Sequence, residues 1–349
     1  MKQAILHIGT EKTGTTSIQS FLFAHRDLLA RRGCLFPSTA GYVSNQRLVT
    51  YAKRVPDPDL VEPGLELEDA RTLADWKEGF VVAHCNEVLP WLCARADARL
   101  VYSSEHMQSR VQDTEEIRRI ARLVRPMVDE VRVIVYLRRQ DRLALSAYST
   151  TVRGGNARPF AFEDVNHAGP YYDQRALLER WASVFGERAI TVRVFERARL
   201  VGGDVVDDFV DAAGIGHATG ELARPPSTNE ALSWTAQSIL RAFNARPGDD
   251  PRLHGVDRRA LRSHLLGELE GLADGFAPVR PARASARAFQ AHFEEANREV
   301  AERWLGGRGF DDSFDEYPEA PGPTPVVADA EERLDALVDA WRARAARVE

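Results

Sequence analysis

The chain opens on an apolar run, Ala4, Ile5, Leu6 and Ile8, continuous enough for a strand buried on both faces. Ile18, Phe21 and Leu22 then recur at three- and four-residue spacing, which predicts a helix directly after it. Residues 98–104, 131–137 and 190–196 repeat the strand signal, and 131–137 is the clearest of them. Residues 32–37 read as a helix end, a short strand and a proline stop. Helical spacing fills the gaps at 80–96, 113–127, 141–152, 171–185 and 203–213. Strands alternating with helices predict an α/β fold, a parallel sheet covered by helices on both faces.

The remainder is less periodic. Residues 38–80 are polar and rich in Pro, Gly and Asp, which predicts a surface insertion, irregular except for a helix at 67–79. Residues 229–305 are mainly helical. We therefore expect one α/β domain over 1–315 with a helical C-terminal portion, and a Pro-rich linker over 316–325. An amphipathic helix over 326–349 follows, with Ala330, Leu334, Leu337, Val338 and Trp341 on the side that docks on its own domain.

Bulk composition narrows the function classes. A net charge of −6 over 349 residues argues against a general nucleic-acid or membrane-surface binder. Cys34, Cys85 and Cys93 form no C-x-x-C pair and no disulfide framework, so buried thiols in a reducing compartment are expected. No apolar run approaches the roughly eighteen residues of a membrane span, and no signal peptide precedes the first strand. These features predict a cytoplasmic protein, and the Ala- and Arg-rich usage points to a bacterial source. The nine histidines show no metal-ligand spacing, so no metal is expected.

Chemistry concentrates between the first strand and its helix, in Gly9-Thr10-Glu11-Lys12-Thr13-Gly14-Thr15-Thr16-Ser17. Strand, Gly-rich turn and helix N-terminus is the arrangement that aims backbone N–H groups and the helix dipole at a phosphate. A Walker A loop sets its lysine immediately after the second glycine. Here that position is Thr15, and the lysine comes earlier, at Lys12. Only four of the 46 basic residues are lysine, yet the loop keeps one. A compact ammonium approaches one bridging oxygen where a guanidinium fork is too wide.

This P-loop-type segment resembles the 5′-phosphosulfate loop of sulfotransferases that use 3′-phosphoadenosine 5′-phosphosulfate (PAPS). The resemblance implies that Lys12, Thr13, Gly14, Thr15, Thr16 and Ser17 hold the 5′-phosphate and sulfuryl group. A second stretch agrees with it. The strand 131–137 ends in Arg138, with Ser146 eight positions on, the spacing of the family's 3′-phosphate motif; Arg139 and Arg142 are weaker helpers. A metal-dependent phosphotransferase would often end such a strand in an Asp.

Transfer to an alcohol also needs a base. Past the strand 98–104 come Glu105 and His106. By register Glu105 matches the base of carbohydrate-type members, with His106 the runner-up, and partial burial would raise the carboxylate toward neutral pH. Val194-Phe195-Glu196 and Asn229-Glu230-Ala231-Leu232-Ser233 resemble further family segments, whereas the R-K-G triplet of cytosolic members is absent. The resemblance covers 1–22 and 100–215 and is nearest to bacterial and carbohydrate-type members. It implies a nucleotide-binding transferase with PAPS as co-substrate and a glycan or other small alcohol as acceptor. A P-loop kinase using ATP–Mg²⁺ and a non-catalytic nucleotide-binding protein are the alternatives.

Overall fold

The computed structural model describes residues 1–60, 67–219, 222–224, 232–254, 256–270, 272, 281–320 and 327–345. The chain divides into two compact units. The first comprises Met1–Arg138, Ala168–Thr228 and Phe293–Phe310, and the second comprises Arg139–His167, Asn229–His292 and Asp311–Glu349.

The first unit is built on five parallel strands: β1 (Lys2–His7), β2 (Cys34–Leu35), β3 (Ala98–Ser103), β4 (Glu130–Leu137) and β5 (Ile190–Val194), in the order β2-β3-β1-β4-β5. The α/β fold with helices flanking a parallel sheet is as the alternation predicts. Because β1 is central, Leu6 pairs with Tyr102 on one side and Val133 on the other, and His7 pairs with Ser103 and Ile134. The strands β3, β1 and β4 thus reach the sheet's carboxyl edge together.

Successive side chains on a strand face opposite ways, so the apolar runs feed two cores. Ala4, Leu6 and Ile8 join Leu100, Tyr102, Val133 and Val135 under the helices Thr114–Val124 and Gln174–Phe185, which contribute Ile117, Ile120, Leu177 and Trp181. Ile5, Val101, Ile134 and Tyr136 face the other way, against helix α1 (Thr15–Ala24) and the helix Val205–Ala213. The second face also carries a polar lock. Buried Asp208 accepts from Tyr136 Oη (2.7 Å), Arg193 Nε (2.8 Å) and the Val201 amide (3.0 Å). These bonds hold its carboxyl below the usual range against the opposing cost of burial, and they tie β4 and β5 to the helix above them.

Two segments differ from expectation. The stretch read as irregular holds a helix, Gln46–Ala52, and the two helical patterns at 67–79 and 80–96 are one helix, Ala70–Cys93. Its start is fixed by a capping box in which the Asp69 carboxylate accepts from the Arg71 and Thr72 amides.

The second unit is helical. Gln140–Arg153, Trp234–Ala245, Arg258–Leu269 and Val327–Ala345 bury Val152, Ile239, Leu240, Phe243, Leu261 and Leu265 with Ala330, Leu334 and Val338 of the last helix. That last helix therefore docks within its own unit, where Arg246 also pairs with Glu331 (2.6 Å) and Asp335 (2.5 Å). Arg139 and Asp141 form a fully buried ion pair (2.7 Å), and Tyr317 Oη donates to the same carboxylate (2.7 Å). Of the stretches singled out in the sequence, residues 61–66, 229–231, 255, 271, 273–280, 321–326 and 346–349 lie outside the described residues. Among the described residues no helix is long and apolar enough to cross a membrane.

Candidate functional site

β1 passes straight into the glycine-rich loop. The loop stays tied to β4: the Ile8 amide donates to the Ile134 carbonyl (3.0 Å), the Tyr136 amide to the Gly9 carbonyl (2.7 Å), and the Thr10 amide and hydroxyl to the Tyr136 carbonyl (each 3.0 Å). Gly9 takes a positive φ of 97°, and a Cβ there would lie 3.1 Å from Glu105 Cα, so only glycine lets the loop touch the turn after β3. Gly14 is as constrained. Its φ is 77°, and a Cβ would meet Val205 at 2.8 Å and Phe195 at 3.2 Å.

Between these glycines Lys12 is itself left-handed, with φ 64°, a conformation that costs a β-carbon-bearing residue about 1 kcal/mol or more. Two bonds hold the turn. Thr13 Oγ1 donates to the Thr10 carbonyl (2.6 Å), and Arg138 Nη1 donates to the Lys12 carbonyl (2.8 Å). Positive φ at Lys12 and again at Gly14 is the kind of reversal that turns successive N–H groups into a concavity able to take an anion. α1 begins there, with Gly14 as an N-cap that offers no side chain and with no acidic residue in its first turn. The positive end of the helix dipole therefore faces the concavity unopposed by a cap.

Arg138 stands at the tip of β4, beside the loop. Its guanidinium lies 5.5 Å from the centre of the Phe195 ring, and the Gln174 side chain donates to its carbonyl (2.6 Å). The fold thus brings the Arg138 side chain onto the Lys12 main chain although the two residues are far apart in the chain. Arg139 and Arg142, read as helpers, instead direct their guanidinium groups to carboxylates of the second unit. Arg139 pairs with Asp141 and Glu316, and Arg142 with Asp311 (2.8 Å) and Glu316 (2.5 Å). Ser146 is half-buried on the helix Gln140–Arg153 of that unit. The role the motif implies for Ser146 rests on sequence spacing.

Glu105 follows the carboxyl end of β3, against Gly9, and its Oε2 accepts from Gln19 Nε2 of α1 (2.5 Å). The carboxylate is thus fixed between the loop and the first helix. His106 opens the short helix His106–Ser109, and its Nδ1 is buried with no hydrogen-bond partner among the described residues.

No family model matches the chain, and no solved structure matches it. Over 175 residues it is 26% identical to an uncharacterized protein of Archaeoglobus fulgidus. The match takes in 50% of this chain and 46% of the other, so the chain spans about half the length of that relative.

Several residues at the site carry no motif. Gln19, Gln108, Tyr171 and Gln174 each send a side-chain bond to the loop, to Glu105 or to their partners. Only their contacts reveal them, since an isolated Gln or Tyr gives no periodic or spacing signal. His7, beneath the loop, is a further omission. It is fully buried, shares 2.8 Å with Ser103 Oγ, and burial pushes its imidazole down to about 3, so it is neutral at physiological pH. No group of three or more potential metal ligands occurs among the described residues.

Proposed function

We propose that this protein is a PAPS-dependent sulfotransferase acting on a hydroxyl of a carbohydrate or other alcohol. The observation that carries the reading is the loop between Gly9 and Gly14. A lysine in the left-handed turn, held by an arginine from the neighbouring strand tip, precedes an uncapped helix start. In this reading the acceptor oxygen attacks sulfur in line, and the bond from sulfur to the bridging phosphate oxygen breaks. Lys12 and the amides of residues 13–17 stabilise the negative charge that gathers on the departing phosphate. Glu105 takes the acceptor proton, with His106 as the nearest substitute. Arg138 answers for the 3′-phosphate.

Ligand binding tests the nucleotide assignment. In thermal unfolding, 3′,5′-diphosphoadenosine at a hundred times its dissociation constant stabilises the protein by about 2.7 kcal/mol. AMP and ATP–Mg²⁺ stabilise it far less. An equal response to AMP removes the 3′-phosphate from the reading, and a response to ATP–Mg²⁺ alone turns it to a kinase. Once an acceptor is found with labelled PAPS, Glu105→Gln lowers kcat by about 10²- to 10⁴-fold. Full activity of that variant moves the base to another residue.

A further inference from the structure

A loop built to gather anions holds an acid of its own. Glu11 immediately precedes Lys12, and its carboxylate is fixed in place. The Glu11 amide donates to Gln108 Oε1 (3.3 Å), Gln108 Nε2 donates to the Tyr171 carbonyl (3.3 Å), and Tyr171 Oη donates to Glu11 Oε2 (3.1 Å). These three bonds close a ring through the loop, the turn after β3 and the segment before the helix Gln174–Phe185. Gln108 is buried, so the ring is anchored in the protein interior. Burial first, and then the Glu11 charge, push the Tyr171 phenol upward, so it remains a donor across the physiological range. The ring fixes a carboxylate within the loop, one residue before Lys12, and a negative charge there weakens the hold on any anionic ligand. The weakening scales with the ligand's charge.

We infer that Glu11, held by Tyr171 and Gln108, sets donor specificity by rejecting a doubly charged phosphate terminus in favour of a singly charged sulfonate. The inference rests on the sulfotransferase reading. Lys12 and the helix dipole attract both termini. A terminal phosphate carries about two negative charges at neutral pH, so it meets roughly twice the repulsion that a sulfonate meets from the same carboxylate. Glu11 is the specificity residue, and Tyr171 and Gln108 position it.

Two nucleotides with one skeleton test this: PAPS, and 3′-phosphoadenosine 5′-diphosphate, which differ at the terminal sulfur or phosphorus. Titration calorimetry in metal-free buffer gives both affinities for the wild type, Glu11→Gln, Tyr171→Phe and the double variant, with 3′,5′-diphosphoadenosine reporting the nucleotide site itself. The wild type prefers the sulfonate. Glu11→Gln reduces that preference about ten-fold, chiefly by tightening the diphosphate. Tyr171→Phe moves the ratio the same way by less, and adds nothing in the Glu11→Gln background. An unchanged ratio in Glu11→Gln while 3′,5′-diphosphoadenosine still binds overturns this inference and leaves the functional reading standing. Equal loss of both affinities in Tyr171→Phe overturns its positioning role. Failure of all three nucleotides to bind the wild type overturns the functional reading and the inference with it.

Discussion

Lys12→Ala lowers kcat for sulfuryl transfer about 10³-fold, the scale on which removing one preorganised donor from a developing anion acts. Binding of 3′,5′-diphosphoadenosine falls much less, because the amides of residues 13–17 and Arg138 remain. Single-turnover transfer from PAPS to a confirmed acceptor is the measurement. Lys12→Gly separates charge from backbone. Glycine accepts the φ of 64° without strain, so this variant is more stable than Lys12→Ala by about 1 kcal/mol. It is nonetheless equally inactive. Lys12→Arg keeps the charge and still loses activity, since a planar fork does not fit where one ammonium converges on one oxygen. Normal turnover by either neutral variant would falsify the assignment of Lys12.

The largest loss of stability follows from Asp141→Ala. Arg139 is 1% exposed and Asp141 0%, and alanine leaves the guanidinium buried without its closest carboxylate. Removing one partner of such a pair costs about 3–5 kcal/mol. Tyr317 also loses its acceptor. Chemical denaturation followed through the second unit gives the difference. Tyr317→Phe deletes only one hydrogen bond and costs about 1 kcal/mol. A loss below that for Asp141→Ala would mean that water reaches the pair.

The sheet was legible because strands buried on both faces are unbroken apolar runs. Residues 131–137 match β4 to within one residue, and 98–104 match β3 equally well. The loop was legible because its glycines serve backbone geometry that no other residue supplies: Gly9 lies against Glu105, and Gly14 against Val205 and Phe195. What stayed hidden was of two kinds. Short or merged helices escape a periodicity reading, as with Gln46–Ala52, seven residues long and without a side-chain cap. Contacts between distant segments escape it too. The spacing of Arg138 to Ser146 drew attention to a phosphate grip, while the bond from Arg138 to the Lys12 carbonyl spans 126 positions and has no sequence signature. Arg139 and Arg142 look like site residues by position, and only their carboxylate partners reveal a structural role.

The first unit's third stretch has a bearing on synthesis. Its helix Glu294–Trp304 packs against the helix Gln174–Phe185, adding Val300 to the core around Trp181 and pairing Glu299 with Arg175 at 2.8 Å. Among the described residues the last strand ends at Val194, yet this flank is sealed only when residues 293–310 emerge. A nascent chain therefore passes through a stage with its sheet already covered by earlier helices but the outer flank of the helix Gln174–Phe185 still bare, the moment at which a holding chaperone matters most.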